Sequence, residues 1–382
     1  MTTRFVANLA VFAATSIMLM LGSGLIPFMA GASTPAQNPQ NANNRCQTNT
    51  GDDNENQGDN SNAVNTSIQH FSAPTAIAVN CGNGDIYVTN SRSDSVSVIH
   101  GTNNKVKDNI ALPSGFFPRA ITYDPQNNNV YVSNYGGSEV AVLSASNNTV
   151  VKIISVPPSG NTVGFGIAYD SLNGNIYEVN EIFGQDPTVN VIDAATNTVT
   201  QSISIPNSFA PIAAGFNPKN GEIYLANDGS GNVSVINGTN NTFIKSISVG
   251  QVPYSLTFDS NGDVFVACLN SGYISVIDGA TDTVTKTISS PAIPNPHVVA
   301  FDPSNGLLYL AGTDSNYPAP TLVSIINVST NEVLKTISLP NAYSPQAIVF
   351  DSVNGRLYIA NEYSNTISVI DSLTNRVIKT IT

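Results

Sequence analysis

Positive charge is what this chain has least of. Fourteen Lys and Arg stand against 26 Asp and Glu in 382 residues, a net charge of −12. Nucleic-acid binding rests on neutralising phosphates with clustered basic side chains. The basic residues here form no cluster, which argues against a nucleic-acid partner. Charged residues of both signs make up only 10% of the chain, so Asn, Ser and Thr must supply most of the surface polarity. Cysteine is nearly absent. Cys46, Cys81 and Cys268 match no zinc-site spacing. Cys268 reads as a small buried apolar residue, and pairing of Cys46 with Cys81 is left open. No nucleophile elbow, phosphate loop or metal-ligand cluster occurs. The sequence therefore gives no catalytic residue, no metal site and no cofactor, and a non-enzyme is expected.

What is present is a repeat. The phrase Tyr87-Val88-Thr89-Asn90 recurs at Tyr131–Asn134, Tyr177–Asn180 and Tyr224–Asn227. Weaker copies follow at Phe265–Cys268 and Tyr309–Gly312, and the last is Tyr358–Asn361. Successive copies start 44, 46, 47, 41, 44 and 49 residues apart. A period of about 40–50 residues built from short strands is the mark of a β-propeller. Each unit holds four runs rich in Val, Ile, Thr and Tyr, bounded by Asn, Gly, Asp and Pro, which read as strands. Six units carry Asn-Gly in the first turn, and the second unit has Asn127-Asn128 there. Asn and Gly tolerate the positive φ such turns need. The fold class is all-β, a seven-bladed propeller of four-stranded antiparallel blades.

Positions within the unit carry their own meaning. The third strand ends on a short polar residue, such as Asp193, Asn237, Asp278 or Asp371, read as a turn-former that bonds its own backbone. The fourth strand, expected outermost, carries Lys152, Lys245, Lys286, Lys335 and Lys379 at one position, where lysine protects a sheet edge. Of the three histidines, His70, His100 and His297, only His297 enters an innermost strand, and a lone histidine there reads as structural.

The first 32 residues are read as a signal peptide or membrane anchor. Arg4 precedes an apolar stretch over residues 5–30, long enough to cross a bilayer and oriented with Arg4 inside. Residues 33–62 have almost no apolar side chains and read as a disordered, Asn-rich stalk. Residues 63–382 are the propeller. Val64–Ile68 resembles a fourth strand and is expected against the outer edge of the last blade, next to the strand over 377–382. Asn65, Asn147, Asn232, Asn237, Asn240 and Asn327 begin Asn-x-Ser/Thr sequons and are candidate glycosylation sites.

The phrase Tyr87-Val88-Thr89-Asn90 followed by Ser97-Val98-Ile99 resembles the YVTN β-propeller repeat of archaeal and bacterial surface-layer-type proteins, over residues 73–382. The resemblance implies an extracellular, envelope-associated propeller, in some members linked to adhesion, with no shared active site. With no Trp, the chain does not look like a WD-repeat protein.

In such a meander, the loops joining strands two and three share a face with those leading into the next unit. These loops hold Phe117, Arg119, Tyr135, Phe183, Phe209, Tyr254 and Tyr363, the candidate ligand-face residues, with Asp94, Glu139, Glu181, Asp228 and Glu362 among them. The opposite face is nearly free of aromatics. Exposed aromatics with polar neighbours mark a recognition surface; the competing reading packs these rings between blades. The leading function is a non-enzymatic interaction or adhesion module at the cell surface, with a glycan or protein as ligand. The membrane would be met only through residues 5–30. The alternatives are a secreted enzyme or redox propeller using an unseen metal or partner, and a structural envelope component.

Overall fold

A computed structural model of the chain describes residues 70–158, 162–182, 184–314 and 319–382. They form seven separate four-stranded antiparallel sheets, each from one contiguous run of chain in the order 1-2-3-4. Blade 1 is β1 (Pro74–Asn80), β2 (Asp85–Asn90), β3 (Ser95–His100) and β4 (Lys105–Ala111). Blades 2 to 7 span 118–155, 162–204, 211–248, 253–288, 295–338 and 345–381. The first strand of each blade packs on the first strands of both neighbours, and blade 7 packs on blade 1. Three strands per blade are apolar and buried on both faces, while the outer strand alternates, as in β4. That is the pattern expected for sheets stacked face to face around an axis.

The phrase tyrosine is the pin between blades. Its hydroxyl crosses to a residue in the last turn of the next blade: Tyr87 to Asn148, Tyr131 to Asn197, Tyr177 to Asn241, Tyr224 to Asp282 and Tyr309 to Asn375, at 2.5–3.0 Å. Every acceptor sits at positive φ, 52–57°, a backbone that Asn and Asp tolerate better than most residues. Blade 5 has Phe265 in the tyrosine's place, and the matching acceptor, Asn331 Oδ1, is buried with no partner. The edge lysines do more than guard an edge. Lys152, Lys335 and Lys379 donate to the carbonyls of Asn197, Asn375 and Asn104 in those same turns, and Gln201 does so in blade 3.

The turn chemistry follows the sequence reading, with one difference. The first loop spans four residues, closed by Gly84 N donating to Asn80 O, with Gly84 at φ 74° and, in blade 2, Asn128 at 57°. The residue ending the third strand caps its own turn: Asp193 accepts from Ala195 N, and Asp278 from Ala280 N.

Blade 3 breaks the pattern inside its sheet. Glu178 stands where the other units have Val, Leu or Ile, and Asn190 replaces a residue that is Ser in five units. Asn190 Nδ2 donates to Glu178 Oε2 at 3.1 Å. In blades 1, 4 and 7 the phrase asparagine donates to that serine. In blade 3 both polar atoms of Asn180 are buried without a partner, as is Glu178 Oε1. Burial pushes the Glu178 carboxyl up to about 8, against the pull of Asn190.

The outer strand of blade 7 is Arg376–Ile381. The expected signal or anchor segment, the stalk, Cys46, Asn65 and the strand over Val64–Ile68 lie outside the described residues. Cys81 and Cys268 are buried. Among the described residues no helix is long and apolar enough to cross a membrane.

Candidate ligand face and channel mouth

The site grows from one irregularity repeated around the ring. In six blades the first-strand proline pairs with the last residue of the phrase, then the register slips by at least one residue. Ala73, Phe117, Ala210, Val252 and Ser344 take φ of 48–58° there. Each carbonyl accepts from the N–H that follows the phrase, on Ser91, Tyr135, Asp228, Leu269 and Glu362. A bulge of this kind re-aims the side chain of the extra residue. Those residues are Thr75, Arg119, Ile212, Tyr254, His297 and Gln346, and Phe165 takes the position in blade 3, where the slip lies between Gly164 and Ile167.

Bulge side chains of blades 2, 5, 6 and 7 meet across the ring at the channel mouth. Tyr254 Oη of blade 5 lies 3.2 Å from Gln346 Oε1 of blade 7. The Tyr254 ring sits 5.3 Å from His297 of blade 6. Arg119 of blade 2 feels the charge of Glu362 from blade 7 and the Tyr254 phenol, and its guanidinium lies 5.6 Å from the Tyr135 ring centroid, within cation–π range. Tyr135 in turn meets Phe165 edge-on at 5.4 Å. Burial is the dominant force on the ionisable groups here. It pulls the Arg119 guanidinium down, partly offset by Glu362. It raises the Glu362 carboxyl, which Arg119 and Arg92 hold back. Glu181 is pushed up to about 7 by burial and then by Asp228, itself raised to about 6 by burial. His297 falls to about 4 through burial, opposed by its bond to the Pro345 carbonyl.

The sequence reading did not group these residues. The sequence carried the signal: one residue after each blade-opening proline, and one residue after each phrase. Each looks ordinary alone, and only the bulge shows that both series point to the axis.

The candidate face residues therefore separate into two tiers. Arg119 and Tyr254 are buried in the mouth, not exposed, and Tyr135 and Tyr363 are half-buried. Phe117 and Phe209 stand out at 47% and 45% exposure, joined by Tyr343 at 37%. Phe117 lies against Gly136 and Phe209 against Gly229, where a Cβ would meet the ring at 2.9 and 2.2 Å. Phe183 lies outside the described residues. Among the sequons, Asn147 and Asn240 are exposed, and Asn237 and Asn327 open turns. Asn232 is half-buried, bonded to Asn227 and to the Asn207 carbonyl, and its Ser234 hydroxyl is buried against Ser208.

No protein-family model matches the sequence, and no curated protein matches it either. Solved structures do resemble it. A chain of Kuenenia stuttgartiensis hydrazine synthase superposes with a TM-score of 0.66 at 18% identity, over 80% of this chain and 98% of that one. A functionally unknown protein from Desulfotomaculum acetoxidans DSM 771 gives 0.64 at 14% identity, over 77% and 94%. At such identities the likeness speaks for the fold alone.

Proposed function

We propose that this chain is an exported, envelope-associated propeller of the YVTN-repeat type. In this reading its loop face recognises a cell-surface glycan or protein without chemical turnover. The observation that carries it is the pair Phe117 and Phe209. Both rings are large, apolar and nearly half exposed on the same face, each lying on a glycine of the facing loop. Loops of varied sequence on a rigid ring are where recognition concentrates, and the Asn-Gly turns of the opposite face are near copies of one another. The scarcity of Lys and Arg favours a neutral or cationic ligand over an anionic one. Full-length protein carrying Phe117→Ala and Phe209→Ala should lose binding to isolated cell-envelope fractions while keeping its melting temperature. Retained binding would refute the reading.

The enzyme reading keeps one supporting observation, the Arg119, Tyr254, Glu362, Asp228 and Glu181 gathering. The hydrazine synthase likeness lends it no residues. Turnover abolished by Tyr254→Phe in a folded protein would support it.

A further inference from the structure

The face holds a cleft that the aromatic pair alone does not explain. It is an open cleft of about 390 Å³ between the loop leading into blade 2 and the loop joining that blade's second and third strands. Pro113, Ser114 and Phe116 form one wall, Asn134, Ser138 and Glu139 the other, and Gly115, Gly136 and Gly137 leave main chain bare along it. No Lys, Arg or His lines it. The volume falls in the range of small-ligand sites.

The cleft is built, not left over. Asp94, itself at φ 45°, accepts from Gly115 N and Phe117 N, both at 2.7 Å, and its carbonyl accepts from Leu112 N. One residue of blade 1 thus fixes both ends of the 112–117 loop. Phe117 is held at φ 48°, a backbone uncommon for a bulky residue. It accompanies a ring that stands in solvent beside the cleft. Gly136 makes the arrangement sterically feasible, since a Cβ there would strike Gly115 O at 2.1 Å. Across the cleft, Glu139 Oε2 accepts from Asn134 Nδ2 at 3.2 Å, which fixes the carboxylate against the wall.

We propose that this cleft is a saccharide subsite for a neutral or amino sugar, with one pyranose ring stacked on Phe117 and its hydroxyls bonded to Glu139, Asn134 and the serines. The proposal rests on the recognition-face reading and narrows it to one ligand class. An aromatic plane offers the apolar C–H face of a sugar its match. Carboxylate, amide and hydroxyl groups offer the in-plane hydrogen bonds, which are worth most where water is displaced. A lone carboxylate with no basic neighbour disfavours sulfated, phosphorylated and uronic sugars. The source, a free oligosaccharide or the glycan of a neighbouring cell or protein, presents the same chemistry.

The test is saturation-transfer NMR and calorimetry on the full-length chain with glucose, mannose, N-acetylglucosamine and their β-linked disaccharides, with glucuronate as the anionic control. At least one neutral or amino sugar should bind saturably, and glucuronate should not. Phe117→Ala should weaken that binding at least tenfold, Glu139→Gln several-fold, and Leu172→Ala, in an exposed Asn-Gly turn of the opposite face, should leave it unchanged. Unchanged circular dichroism and melting would show that Phe117→Ala has not unfolded the ring. Sugar binding that survives Phe117→Ala, or no sugar binding at all, overturns the proposal. If envelope binding is then still lost in Phe209→Ala, the face reading stands with a different ligand. If envelope binding survives both face changes, the face reading falls as well.

Discussion

Tyr358 Oη donates a 2.7 Å hydrogen bond to Asn104 Oδ1, and so the last blade is pinned to the first by the same contact that joins five other seams. Asn354 Nδ2 and Arg356 Nη1 reach the Gly101 carbonyl beside it. Ring closure thus repeats an ordinary inter-blade joint. Removing the donor leaves a buried acceptor unsatisfied, a loss of about 1–3 kcal/mol. Tyr358→Phe should lower the melting temperature by a few degrees, as should Tyr131→Phe. A drop confined to the closing seam would mean that the seams are not equivalent.

The seam between blades 5 and 6 is the natural converse. Phe265 offers no donor to the buried, unpartnered Asn331 Oδ1. Phe265→Tyr should raise stability by about 1 kcal/mol, read as a higher denaturation midpoint with an unchanged slope. A lower midpoint would show that the hydroxyl has no room there.

Blade 3 yields a coupled prediction. Glu178→Val alone strips Asn190 of its acceptor, and Asn190→Ser alone strips Glu178 of its donor. Together they restore the pattern of blades 1, 4 and 7 and give Asn180 a serine partner. The double mutant should be more stable than the sum of the single changes by at least about 1 kcal/mol. Simple additivity would contradict the account of this pocket.

The same pocket sets a pH dependence. Folded Glu178 keeps its proton to about pH 8, whereas the ordinary value is 4.5. Between those values the folded state binds more protons than the unfolded one, so stability falls as pH rises through the window and levels off above it. Glu181, raised to about 7, acts in the same sense. His297, lowered to about 4 from 6.5, acts only below about pH 6.5, where stability is lost on acidification. From pH 6.5 to 8.5 the protein should lose about 2 kcal/mol through Glu178, at about 1.4 kcal/mol per pH unit. Glu178→Gln should flatten that decline. An equally steep decline in the variant would place the titration elsewhere.

The ring was legible because its signals are local and repeated. Tyr87 and its six counterparts recur every 41–49 residues, and the Asn-Gly turns mark the same loop in six units. The partners of those residues were not legible. Nothing in the sequence pairs Tyr131 with Asn197, since the contact joins two units across a seam. The mouth residues were hidden for a related reason. Arg119, Tyr254, His297 and Glu362 come from four blades and meet only because a bulge turns each first strand inward. Tyr254 looked like a face residue because its loop lies on the face, yet the bulge buries its ring. Phe117 stayed outside because it precedes the proline and adopts positive φ.

Recognition is assigned to the face carrying Phe117 and Phe209. Hydrogen–deuterium exchange of the full-length protein, with and without solubilised cell-envelope material, tests it most directly. The account predicts slowed exchange in 112–117, 134–139, 207–210 and 343–344, with the Asn-Gly turns at 81–84, 171–174 and 352–355 unchanged. Protection of those turns, with the aromatic loops unaffected, would contradict it.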